Sequence, residues 1–246
     1  MTEDRIGFDR TIRLRWLDQA ALLARELRDN EALREALFEC LTHDVRGEES
    51  RRKTVTVLAR IWWRVPEEHI LFREEAFAMV AQETPGARLA LHWGMALLAY
   101  PLFRDVTAII GRLLRLQGAF TLAQVSRRIS ADWGNRTTLK YAVPRILRSL
   151  SDWEIVEPTK EVGGYEPCPP ILSPRVGPAL WLLEASLRAR ETDVPVSDLL
   201  RSPELFPFAL PVSPGDLLRS GRFQVDQQGQ DLLMVQKVST ANHGWR

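Results

Sequence analysis

The sequence predicts a mainly α-helical protein in which an N-terminal helical bundle is followed by a winged helix-turn-helix domain and a C-terminal extension with a small hairpin. Three observations lead there. Apolar residues recur at helical spacing through the first half, beginning with Ile12, Trp16, Ala20, Leu23 and Leu27. From Gln117 the pattern changes to two short helical stripes separated by Trp133-Gly134-Asn135, followed by Ile155-Val156 and a Gly163-Gly164 turn. Beyond Cys168, prolines cluster at positions 169, 170, 174 and 178. The domains read from these changes are 1–116, 117–171 and 172–246.

In the first region, helices are expected over 11–28 and from Glu31, with Asp29-Asn30 stopping one and capping the next. A third is expected over 48–63, acidic at its positive end and stopped by Pro66, and a fourth over 67–82. Two strongly apolar helices follow over 87–100 and 103–116, divided by Pro101, and Gly111 within the second reads as a close-packing position. In the second region Thr121 is placed to cap one short helix and Thr137 or Thr138 the next. The second helix turns Leu139, Val143, Ile146, Leu147 and Leu150 inward, and the hairpin over 155–165 reads as a wing. The third region carries a helix over 179–191, a short one over 196–200, and a hairpin whose strands, 222–225 and 232–238, flank Asp226-Gln-Gln-Gly229.

The 246 residues are 45 % apolar and include eight Trp and nine Phe, which supports a packed core and excludes global disorder. Thirty-three Lys and Arg against 32 Asp and Glu give a net charge of +1, so attraction to a polyanion has to come from local clustering. Nearly all the cations are Arg, a bias that suits phosphate and guanine recognition and that a GC-rich genome also produces. Cys40 and Cys168 stand far apart, outside any metal-ligand spacing, so no disulfide, metal or other cofactor is expected. The first fifteen residues carry no apolar signal core, and His92 and Pro101 interrupt the longest apolar stretch. A cytoplasmic protein with no membrane contact is therefore expected.

A winged helix places the polar side of its second helix in the major groove while the wing reaches backbone or minor groove. On that reading Arg136, Thr137 and Thr138 lie where free amides and the helix dipole favour phosphate. Lys140, Tyr141, Arg145 and Arg148 follow on the outer side, Lys160 lies in the wing, and Pro144 predicts a kink or a later helix start. Arg51, Arg52 and Lys53 form a second candidate patch, balanced against an exposed helix end paired with Glu48 and Glu49. The alternative use of the module is as an adaptor that holds other protein subunits, with the same Arg residues an ordinary solvated face.

The phosphate-loop, dinucleotide, nucleophile-elbow, zinc-peptidase and acid-acid-Lys nuclease patterns are all lacking, so no enzyme is expected. His43, His69 and His92 have no second His at ligand spacing and read as structural. Trp62, Trp63 and Trp93 read as core, and Trp133 and Trp153 as pins holding the recognition helix to its own domain.

The helical first half, with Phe120-Thr-Leu-Ala-Gln-Val125, the Trp133-Gly-Asn-Arg136 turn and Arg148-Ser-Leu-Ser-Asp-Trp153, resembles BrxA, the helical DNA-binding component of BREX phage-defence systems, over roughly residues 10–165. The resemblance implies a non-enzymatic accessory protein that contacts double-stranded DNA and works with other proteins of a multi-subunit system. It assigns no individual binding residue and does not extend to the Pro-rich tail.

Overall fold

The computed structural model describes residues 8–169, 171–172, 175–228 and 232–236. The chain is mainly helical, with small sheets, and among the described residues no strand precedes Phe120. Helix α1 (Leu14–Leu27) starts three residues later than its apolar period predicts. The reason is long-range: the Ile12 amide donates to Ser149 Oγ (2.8 Å), the Ile12 carbonyl accepts from Trp153 Nε1 (2.9 Å), and the Leu14 amide donates to Asp152 Oδ2 (2.9 Å). These partners hold residues 9–13 as a non-helical strap, with Arg13 extended. Helix α2 (Asn30–Cys40) is capped by Asp29, whose carboxylate accepts from the Ala32 amide. Helix α3 (Glu48–Trp62) follows Gly47, and α4 (Ile70–Val80) follows a 3-10 turn at Glu67–His69.

Helices α5 (Pro85–Ala99) and α6 (Pro101–Gln117) meet at a bend of 118°. Pro101 opens α6, where its missing amide removes no helical bond. Next come β1 (Phe120–Thr121), α7 (Leu122–Trp133), α8 (Leu139–Asp152), β2 (Val156–Pro158) and β3 (Gly164–Pro167). The order β1-β3-β2 gives one antiparallel sheet of three strands, one more than the sequence shows, because two-residue β1 is too short to carry an alternation. The rest comprises β4 (Ile171–Leu172), α9 (Val176–Arg188), β5 (Val194–Pro195), α10 (Val196–Leu200), β6 (Phe208–Ala209), α11 (Pro214–Arg219), β7 (Val225–Gln228) and β8 (Leu232–Val235). Strands β7 and β8 form a hairpin, but its first strand starts three residues later than expected, so that Asp226, Gln227 and Gln228, expected in the turn, pair with β8, and β5 adds to β8. The predicted turn glycine, Gly229, and the end of the second strand at 237–238 lie outside the described residues.

Side chains from all three sequence regions share one buried cluster. Trp93 of α5 has Phe103, Trp153, Phe206 and Phe208 around it at 5.1–6.0 Å between ring centres, and Trp181 of α9 stacks on Phe72 at 4.4 Å. Trp62 and Trp93 are core, as expected, whereas Trp63 is half-buried with Arg73 over its ring. Among the described residues no single helix is long and apolar enough to cross a membrane.

Gly111 is the close-packing glycine that its sequence context indicates. A Cβ there would stand 1.9 Å from the Pro203 carbonyl oxygen, which belongs to the 3-10 turn Pro203–Leu205 seated on α6. Gly111→Ala is therefore expected to destabilise the protein by about 1–3 kcal/mol despite the roughly 1 kcal/mol that Ala contributes to helix propensity. Chemical denaturation measures it, and a variant as stable as the parent would contradict the packing.

His92 is fully buried, its Nε2 lies 3.1 Å from Asp18 Oδ1, and its Nδ1 has no partner. Nε2–H donates to Asp18, so protonation would add a buried N–H with no acceptor. Burial accordingly holds the His92 pKa below the ordinary histidine value. The unfolded chain then takes up the proton first, so stability is full above about pH 6.5 and falls as the pH drops below it, by no more than about 1.4 kcal/mol per unit for one proton. His92→Gln keeps the donor and should reduce the loss of Tm between pH 7 and 5. An unchanged slope would exclude His92 as its source, leaving His69, also depressed by burial.

Candidate nucleic-acid interface

The best candidate surface is built on α7 and α8. Thr121 and Gln124 form a reciprocal capping box that fixes the start of α7: the Gln124 amide donates to Thr121 Oγ1 (3.2 Å) and the Thr121 amide to Gln124 Oε1 (2.8 Å). Gly134 (φ 76°) makes the turn into α8. Helix α8 starts at Leu139, later than the first expected position, and continues through Pro144 to Asp152. Thr138 holds the cap position in a helical conformation without a side-chain capping bond, a correction to its expected role. The amides of Leu139, Lys140 and Tyr141 donate to the carbonyls of Arg136, Thr137 and Thr138 (3.1–3.2 Å), and of the three amides expected to be free, that of Arg136 is used on the Gly134 carbonyl (3.0 Å). The amides of Thr137 and Thr138 carry no bond among the described residues and remain open to an anion.

The inward residues of α8 are buried as its stripe predicts, and Arg136, Thr137, Thr138, Lys140, Tyr141 and Arg148 are exposed. None of the Arg136, Lys140 and Arg148 side chains has an ion pair or hydrogen bond among the described residues. Arg145 departs from the expectation: half-buried, it donates to the Asp9 carbonyl and lies over the Tyr141 ring at 5.9 Å, so it braces the N-terminal strap. Trp133 and Trp153 also bond outside the segment expected of them. Trp133 Nε1 donates to Asp105 Oδ2 on α6 (2.9 Å), and Trp153 donates to the strap. Both pin α7 and α8 to the N-terminal region, which local sequence gives no means of foreseeing.

At the second patch, Arg52 pairs with Glu48 and Lys53 with Glu49 (2.9 Å), while Arg51 donates to Thr42 Oγ1 and stacks over Phe38 at 4.5 Å. The Lys53 hydrogen bond, then its charge and those of Arg52 and Arg10, hold the Glu49 carboxyl below its usual range. These three cations are largely occupied within the helix and its neighbour. Lys160 is exposed in the hairpin between Glu157 and Glu161. Burial, and then Glu157, Glu154 and Glu166, push the Cys168 thiol up, so this end of the hairpin is an acidic neighbourhood.

Fold and site together define a mainly helical protein with an unpaired cationic stripe along α8. Comparison with known protein families, with curated proteins and with solved structures yields no match for the chain.

Proposed function

We propose that this is a non-enzymatic DNA-binding accessory protein in which α7, α8 and the sheet β1-β3-β2 act as a winged helix-turn-helix. The observation that carries the reading is that Arg136, in the turn before α8, and Lys140 and Arg148, on its exposed side, have no side-chain partner among the described residues and stand beside two open amides at the helix start. Unpaired cations on one rigid helix can neutralise phosphates without first breaking an ion pair, and Tyr141, 59 % exposed, adds a flat surface for sugar or base. A role beside larger phage-defence enzymes rests on the sequence resemblance alone.

The test is fluorescence anisotropy of a mixed-sequence duplex titrated with the full chain at several salt concentrations. Binding that weakens linearly in log Kd against log salt supports the reading, and no binding at 50 mM salt overturns it. Because Arg51, Arg52 and Lys53 are internally engaged, converting all three to Gln should change affinity by less than about threefold. A loss of two or more slope units would restore that patch as a contact.

A further inference from the structure

We infer that the DNA-contacting surface runs from α8 across α7 to Arg112 on α6, and that the hairpin β2–β3 stays off the phosphates. The inference rests on the reading of α8 given above. Residues 106–150 contain eight cations and a single acid, Asp132, in a chain whose net charge is only +1. Residues 151–169 contain five acids and one cation, Lys160. The positive surface therefore ends where the hairpin begins.

Ion pairing sharpens the contrast, since none of the ion pairs among the described residues involves residues 106–169. Arg115 and Arg145 are spent on backbone carbonyls. Arg112, Arg127 and Arg128 are exposed and have no partner among the described residues. Arg128 even lacks an ion pair with Asp132, four residues on. The Trp133–Asp105 bond ties the end of α7 to the start of α6, while β1 ties the start of α7 to the end of α6, so the two helices run antiparallel. Arg112 thus stands level with Ser126 and Arg127 and continues the cationic track over α7.

In the hairpin, Glu157 and Glu166 are direct partners across the ladder, an arrangement that costs stability by itself. A phosphate within a Debye length, about 8–10 Å at moderate salt, would add to that repulsion, and Lys160 alone cannot offset it. A wing in the usual backbone-contacting role would need the opposite charge.

The test compares three full-length variants with the parent by duplex titration over salt: K140Q/R148Q on α8, R112Q/R127Q/R128Q on the track, and E157Q/E161Q/E166Q on the hairpin. The track variant is expected to lose about 2–3 units of slope and at least tenfold in affinity at moderate salt, since each contact accounts for about 0.9 unit. The hairpin variant is expected to stay within about threefold of the parent. An unchanged slope in the track variant overturns the inference, as does a hairpin variant that binds tenfold tighter. If K140Q/R148Q also leaves the slope unchanged, the reading of α8 itself fails, so the two failures are distinguishable. Far-UV circular dichroism checks folding, and Arg127→Gln alone, expected to lose about one slope unit, stands in if the triple variant does not fold.

Discussion

Converting Arg136, Lys140 and Arg148 together to Glu is expected to weaken duplex binding by on the order of 100-fold or more at moderate salt. The dependence of log affinity on log salt should flatten by roughly 2.7 units, about 0.9 for each lost phosphate contact. The fold should survive, because all three side chains are exposed and break no internal bond when changed. Arg145 is left out because it holds the Asp9 carbonyl, and its loss would mix a stability effect into the result. The loss should be similar for every duplex tested if the contacts are to phosphate. A single side chain reading a base edge would instead cost about 1–3 kcal/mol on one preferred sequence and little on others. Full affinity in the folded triple variant would remove α8 from the contact surface, and loss of a protein partner by that variant would favour an adaptor role.

The largest effect on stability is expected from Trp153→Ala. The indole is fully buried, packs with Trp93 and Phe103, and donates to the Ile12 carbonyl. Removing it leaves a large cavity and an unbonded strap carbonyl, for an expected loss of about 3–5 kcal/mol from packing and about 1 kcal/mol from the hydrogen bond. Denaturant unfolding followed by circular dichroism measures this. Because Trp153, with Ser149 and Asp152, ties the end of α8 to the strap, the same variant should also bind DNA more weakly. A loss below about 1 kcal/mol would show that the strap is held by other means.

Local signals in the chain were readable wherever the physics is local. The helices follow from apolar stripes with their stops at Asp29, Pro66 and Pro101, the start of α7 from Thr121 ahead of an apolar stripe, and the close approach at Gly111 from a glycine inside an apolar helix. What escaped depends on contacts far apart in sequence. The strap at residues 9–13 breaks a good helical period because Ser149, Asp152 and Trp153 supply its hydrogen bonds from more than 130 positions away. Arg145 looks like its neighbours on the α8 stripe until the strap is laid across it. The charge division between 106–150 and 151–169 was present in the sequence all along. It becomes visible when charge is counted by element and each cation is sorted by whether an acid already holds it.

The most direct measurement of where DNA binds is the shift of backbone amide resonances as a short duplex is added to isotopically labelled full-length protein. The expected result is that Thr137, Thr138, Lys140 and Arg148 shift most, with Arg127 and Arg112 following, while residues 51–53 and 157–166 stay in place. Shifts concentrated in the hairpin or at the start of α3, with α8 unmoved, would contradict the proposed interface.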